Sequence, residues 1–321
     1  MNTFGKRFRV SIFGESHGPQ IGVVLDGVPA GISLCESDLR EDIARRTPGA
    51  AGTTPRRESD EAHILSGVHE GHTTGAPVTI VFDNANTRSS DYSQFRDTPR
   101  PGHADYVAGV KWDNANDPRG GGHFSGRMTL PVVAAGVVAK KMIGEITVSA
   151  ELVALGGEAD RARWQAMLAE TAAEGDSLGG LVRGRATGVP VGLGEPFWDS
   201  VESLISHAIF SIPGVRGIEF GDGFAAAAMK GSQHNDPIGC NGRPLKNGAG
   251  GINGGITNGA DIVFQVAFKP TSSIAREQET CNFKTGRMEP LRVSGRHDVC
   301  FALRTPVIVE AMTAIVLADL L

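Results

Sequence analysis

Short glycine-rich turns carry most of the residues in this chain that could do chemistry. Phe13-Gly-Glu-Ser-His-Gly18 follows a strand-like run, Phe8 to Ile12, and its glycines allow a tight turn that presents polar side chains to a cleft. Histidine is the natural general acid near neutral pH, which makes His17 a candidate, although an ordinary surface turn would read the same way. Arg100-Pro-Gly-His-Ala-Asp105 sets an arginine and His103 around a Pro-Gly turn, a pair suited to receiving or protonating a phosphate. A helix entry with Asp105 near its cap is the plainer alternative. Arg119-Gly-Gly-Gly-His-Phe-Ser-Gly-Arg127 leads into an apolar segment. Three successive glycines expose backbone N–H groups, a helix N-terminus favours anions, and arginines stand at both ends, so the segment is predicted to bind an anion.

Two further turns are weaker signals. Lys269-Pro-Thr-Ser-Ser273 ends a strand and offers one ammonium and three hydroxyls to a phosphate, though most such stretches are solvated. In Gly295-Arg-His-Asp298 a bend that aims Arg296 and Asp298 into one cleft would supply an anion clamp and a base.

Composition narrows the partners. The chain has 321 residues and a net charge of -5, which argues against a general nucleic-acid binder. Five arginines (Arg40, Arg45, Arg46, Arg56, Arg57) nevertheless face only Glu41 and Asp42 between positions 40 and 57, a local basic cluster suited to a small polyanion. Glycine makes up 43 residues, about double the usual ~7%, as expected where backbone must approach a ligand closely. Four dispersed cysteines form no CxxC pair, so free thiols in a reducing cytoplasm are expected. The apolar C-terminal run is broken by Arg304, Pro306, Glu310 and Asp319, which excludes a membrane span. Common site motifs fail: Gly5-Lys6 is followed by Arg7 rather than Ser or Thr, Gly248-Ala-Gly250 meets Asn253 where GxGxxG needs glycine, and His69-Glu-Gly-His72 is one residue short of a zinc helix. No metal site is expected.

The elements that must position these turns are legible in outline. Period-2 alternation predicts strands at Val78-Ile80-Phe82, Ile146-Val148-Ala150-Leu152 and Ile262-Phe264-Val266-Phe268. Ser33 with Glu36, and Asp199 with Glu202, read as capping boxes opening helices, and Thr305-Pro306 starts a terminal one. Residues 131–139 are apolar all round, so that helix must be covered on every side, pointing to a sandwich with helices inside. Gly27-Val-Pro-Ala-Gly31 and Gly188-Val-Pro-Val-Gly192 each follow a strand and precede a helix, which suggests two related halves or a coincidence of common turns.

Taken in order, nine segments resemble chorismate synthases: Gly14-Glu-Ser-His-Gly18, Arg45-Arg46-x-Pro-Gly49, Leu65-Ser-Gly67, Arg100 to Asp105, Arg119 to Gly122 with Ser125 and Arg127, Gly221-Asp-Gly223, Gly250 to Gly255, Lys269 to Ser273, and Gly295 to Asp298. The resemblance spans nearly the whole chain. It implies an α+β fold, a β-α-β sandwich with buried helices between antiparallel sheets, as one domain over residues 1–321. It implies anti-1,4-elimination of phosphate from 5-enolpyruvylshikimate 3-phosphate to give chorismate, with reduced FMN, in a homotetramer. The cytoplasmic location is expected by default, from the lack of a legible signal or membrane segment. NADPH at its own flavin and an external flavin reductase both stand as sources of reducing equivalents. By the same resemblance His17 protonates the reduced flavin, His103 lies near the departing phosphate, and Asp298 assists proton removal. Arg45, Arg46 and Arg127 match arginines that contact substrate or NADP, and His123, Ser125, Gly254, Lys269, Thr271, Ser272, Ser273 and Arg296 fall at FMN-binding positions.

The chain departs from the pattern in places. His123-Phe124-Ser125 stands where many members have Arg-Ser-Ser, which weakens one flavin-site cation, and Pro213-Gly214 replaces an Asn-Ala pair. An arginine frequent after the Arg-Arg-x-Pro-Gly turn is absent near Gly52, which bears on the NADP-linked role. A flavin-binding paralogue that has lost the elimination is the main alternative, opposed by retention of His17, His103 and Asp298. An RNA-binding module lacks interleaved aromatics and the right net charge.

Overall fold

Alternating apolar side chains build two sheets. In the computed structural model, which describes residues 2–54, 59–85, 89–295 and 297–321, strands β1 (Arg9–Gly14), β2 (Gln20–Asp26), β3 (His63–Ser66) and β4 (Val78–Asp83) form the first sheet in the order β1-β2-β4-β3, with the short strand Thr3–Phe4 beyond β1. Strands β5 (Thr147–Leu155), β6 (Gly180–Thr187), β7 (Val215–Phe220) and β8 (Ile262–Phe268) form the second in the order β5-β6-β8-β7. Every pairing is antiparallel. The period-2 pattern is clearest in β8, where Ile262, Phe264, Val266 and Phe268 point into the core and the residues between them do not.

Among the described residues, the α-helices longer than one turn are α1 (Glu36–Arg46), α2 (Asp105–Lys111), α3 (Thr129–Met142), α4 (Arg161–Ala173), α5 (Val201–Phe210) and α6 (Pro306–Leu320). α3 is buried continuously from Thr129 to Ala139 and α6 from Val307 to Asp319. α3 packs on β2 and β4, α6 packs on β5 and β6, and the two helices pack on each other. A helix apolar on all sides is stable only between such layers, so the predicted sandwich is the observed one. No described helix is long and apolar enough to cross a membrane.

Close approach of α3 to α6 depends on Gly136. A Cβ there would lie 2.3 Å from the Cβ of Ala311 and 2.5 Å from its Cα. Gly136→Ala is therefore expected to destabilise the fold by about 1–3 kcal/mol through overpacking, despite alanine's better helix propensity. Urea denaturation checks this; a midpoint equal to or above wild type would contradict it.

The polar residues of α6 have structural roles. Glu310 accepts from Arg45 Nη1 and Nη2 at 2.7 and 2.6 Å, from Lys140 Nζ at 2.9 Å and from the Ala150 backbone at 3.0 Å. Asp319 Oδ1 accepts from the backbone N–H groups of Lys6, Arg7 and Phe8 at 2.7, 2.6 and 2.9 Å, which fastens the lead-in to β1 and hence the turn carrying His17.

Two helix starts are shifted from expectation. Ser33 still bridges His72 in extended conformation, so α1 begins at Glu36 with Cys35 as N-cap, its N–H donating to Asp38 at 2.9 Å. Ser200, not Asp199, caps α5 and accepts from Ser203 N at 3.1 Å, because Phe197–Asp199 forms a separate turn. The order β1-β2-β4-β3 is repeated as β5-β6-β8-β7, with α1 between β2 and β3 and α5 between β6 and β7.

Candidate active site

Loops at the ends of both sheets close on a cavity of about 670 Å³. His17 arrives from the turn after β1, Arg46 from the last turn of α1, and His103 from the loop before α2. Ser125 and Arg127 come from the entry to α3, Lys269, Thr271, Ser272 and Ser273 from the end of β8, and Asp298 from the loop before α6. Ten residues singled out from the sequence thus share one hollow.

The glycine triplet explains how the two histidines come together. Gly120, Gly121 and Gly122 have φ of 62°, 81° and 54°, the left-handed region that favours glycine. A Cβ on Gly120 would lie 2.4 Å from His17 Cδ2, and one on Gly121 would lie 3.6 Å from His103 Nε2. The Ser16 N–H donates to Gly122 O at 3.1 Å, locking the triplet to the His17 turn. The loop predicted to bind an anion thus also separates the two histidines. Its flanking Arg119 is turned outward onto Asp117, at 2.8 to 3.1 Å.

His103 is held from behind. Its Nδ1 lies 2.7 Å from Asp105 Oδ1 and 3.1 Å from Arg100 Nη2. A lone pair facing a carboxylate would be repelled, so Nδ1 carries the proton and donates to Asp105, leaving Nε2 toward the glycine wall. Arg100 grips Asp105 at 2.7 and 2.8 Å, donates to Ser273 Oγ at 2.9 Å and lies 4.5 Å over the Phe95 ring. Burial is the main cause that lowers the His103 pKa, and Asp105 opposes it. The imidazolium is accordingly present only below a depressed pKa. Asp105→Asn removes the opposing charge, so an NMR titration should find His103 titrating lower still than in wild type; an upward move would contradict this geometry.

The remaining walls are strongly cationic. Arg46, Arg100, Arg127, Arg216, Lys269 and Arg304 line the cleft against the carboxylates Asp60 and Asp298. Burial, joined by the positive fields of Arg304 and Arg127, pushes Arg46 down to about 9 against the pull of Asp60. An anion placed among these groups relieves that cost. Asp298 accepts from the Thr54 N–H at 2.9 Å and from Arg304 Nη2 at 2.7 Å. Lys269 Nζ donates to Ser272 Oγ at 2.5 Å and to Gly102 O at 3.2 Å, and burial lowers its pKa, with Arg216 adding to the effect. Thr271 Oγ1, His297 Nε2 and Arg304 Nε are buried in the cleft lining without a hydrogen-bond partner among the described residues. Such orphaned groups fit a site completed by a ligand.

The structure does not bring every expected residue to this cavity. Arg45 does not line the cleft, because Glu310 and Asp42 hold its guanidinium away from it. His123 points away too: its Nδ1 meets Gly14 O at 2.8 Å and its Nε2 meets Asn2 at 3.1 Å, and Phe124 faces the cavity instead. Gly254 is exposed in the turn between the short strands Ile252–Asn253 and Ile256–Thr257, outside this cavity. Arg40 is exposed on α1. Arg56, Arg57 and Arg296 lie outside the described residues. Asp60, Tyr92, Arg216 and Arg304 line the cleft without having been anticipated. Only Arg304 left a trace, as a charge interrupting an apolar run.

A family model for chorismate synthase matches residues 8–321. Among curated relatives, a chorismate synthase of Chitinophaga pinensis is 57% identical over 99% of this chain and 96% of its own length. One from Korarchaeum cryptofilum is 44% identical, with 98% and 96% covered. A crystal structure of chorismate synthase superposes with a TM-score of 0.75 at 27% identity, covering 99% of this chain and 92% of that one.

Proposed function

The chain belongs to the chorismate synthase family, lyases of aromatic amino-acid biosynthesis, and from that premise we propose that its cleft eliminates phosphate from 5-enolpyruvylshikimate 3-phosphate with reduced FMN bound beside the substrate. The observation that carries this reading is the convergence of His17, His103 and Asp298 on one cationic cavity. The substrate bears two carboxylates and a phosphate and FMN adds another phosphate, so fixed cations are the first requirement of a site that holds both.

The residues present fit a flavin mononucleotide. Lys269, Thr271 and Ser272 supply a cation and two hydroxyls, the latter including an orphaned buried oxygen, and Phe124, Pro213 and Phe301 offer apolar wall to a planar ring. Ser125 is committed in part to capping, since its Oγ accepts from Arg127 N at 3.2 Å. The chemistry that bound reduced FMN supplies is a transient donation of electron density with no net oxidation. The protein's own groups do the rest. Arg46 and Arg127 hold the anionic substrate on the floor. His103, aimed by Asp105, donates from Nε2 to the leaving phosphate as the carbon–oxygen bond breaks. This requires the imidazolium form, which the negative charge of the bound substrate favours against the depressed pKa. Asp298, fixed by Arg304 and Thr54, stays aimed at the side where the substrate proton departs, and His17 holds a proton near the flavin. The products are chorismate and phosphate.

Anaerobic incubation with chemically reduced FMN and the phosphorylated substrate tests this directly. Phosphate release is expected; flavin binding without release would favour the paralogue that has lost the elimination. The same assay with NADPH in place of the chemical reductant separates self-reduction from dependence on an external flavin reductase.

Three coarser features complete the proposal. Phe197, Trp198 and Phe224 are 85%, 89% and 83% exposed, apolar surface of the kind that subunit contacts cover, which supports the homotetramer. Free cysteines suit the cytoplasm. The shared strand order of the two sheets supports a reading of the single domain as two related halves.

A further inference from the structure

Asp60 belongs to none of the motifs, yet it sits on the cleft floor, 6% exposed, with a φ of 49° that non-glycine residues seldom adopt. Backbone strain of that kind persists where the surroundings over-determine it. Here they do: Asp60 Oδ1 accepts from Arg127 Nη1, while Oδ2 accepts from Thr47 Oγ1 at 3.0 Å and from Arg46 Nη1 at 3.5 Å. The other bonds of the two guanidiniums go to uncharged acceptors. Arg46 donates to Thr129 Oγ1 and Gly126 O, both at 3.0 Å, and Arg127 donates to Asn84 Oδ1 at 3.0 Å and Asp83 O at 3.1 Å. Each guanidinium has five N–H groups, so donors remain on both for a ligand.

We propose that Asp60 is a positioning residue that ties Arg46 and Arg127 into a clamp of net charge +1, matched to a carboxylate of the substrate. This deepens the functional reading above and rests on it. Two arginines without the bridge would repel each other and present +2, a better match to a phosphate dianion and a poorer aim at a carboxylate. Asp60 thereby sets both the direction of the two guanidiniums and the charge they show to the cleft.

Asp60→Asn keeps the shape and an acceptor for Thr47 while raising the floor's charge by one. The expected result is a kcat at least about 10-fold lower, a substrate KM unchanged or lower, and inhibition by inorganic phosphate at about fivefold lower concentration. Mere loosening of the fold would raise KM instead. Asp60→Glu is the second variant: it retains the charge but displaces the carboxylate, so kcat falls while phosphate inhibition stays within about twofold of wild type. Wild-type kcat in Asp60→Asn, a raised KM there, unchanged phosphate inhibition, or equal tightening in Asp60→Glu would each overturn the proposal. Failure of the wild-type protein to release phosphate from substrate would overturn the functional reading instead. Phosphate affinity, read by thermal shift on the same three proteins, would still decide the role of Asp60.

Discussion

Replacing His103 with alanine is expected to lower turnover for phosphate release about 10²–10⁴-fold, the range for loss of a positioned general acid, while leaving flavin affinity nearly unchanged. The separation follows from the architecture behind the ring. Arg100 binds Asp105 through two nitrogens and Ser273 through a third contact, none of which passes through the imidazole. The loop before α2 and the Lys269–Ser273 turn therefore keep their places when the ring is removed. Only the donor proposed to face the departing phosphate is lost. Stopped-flow phosphate release alongside equilibrium FMN titration makes the comparison, and a defect confined to flavin binding would remove His103 from catalysis.

Arg46→Ala carries the second large effect, a rise in substrate KM of roughly 30-fold or more, as for truncating one partner of a desolvated charge pair. Arg46 is 3% exposed and lies where burial, joined by the fields of Arg304 and Arg127, already depresses its pKa, the condition under which an incoming anion gains most. Asp60 retains Arg127 and Thr47 when Arg46 is removed, so the carboxylate is not left unpaired. Arg46→Lys serves as the control: it preserves the charge without the planar fork, and its KM should fall between the two. An unchanged KM in the alanine variant would take Arg46 out of the binding site.

Local pattern made much of this fold legible. The strict alternation of Ile262 to Phe268 and the unbroken apolar surface of residues 131–139 each admit few environments, and both were found where their periodicity placed them. Helix starts were less legible because a cap depends on where the preceding chain stops being extended. Ser33, held in a bridge to His72, could not serve as one. In the site, residues on glycine turns were readable because those turns need a reason to exist. Arginines were legible only in part, since Arg46 and Arg127 reach the cleft while Arg45, about a third of a turn from Arg46 on α1, goes to Glu310. Which of two neighbours faces a ligand is decided by helix rotation against α3 and α6, information that is tertiary. His123 failed for the same reason: its two ring nitrogens find partners in Gly14 and Asn2, residues more than a hundred positions away.

Asp60 marks the limit of such reading. No motif contains it, and its importance lies in two arginines, one of them 67 positions along the chain, converging on its carboxylate. Arg304 is similar, an interruption in an apolar run whose purpose appears only when Asp298 is seen beside it.

A crystal structure of the protein with oxidised FMN and 5-enolpyruvylshikimate 3-phosphate tests the central claim most directly. Flavin and substrate should lie against each other in the hollow between His17, His103 and Asp298, with a substrate carboxylate on Arg46 and Arg127 and the phosphate within reach of His103. A flavin seated instead in the adjoining cavity of about 740 Å³ behind His103, or a substrate bound away from these three side chains, would contradict the account.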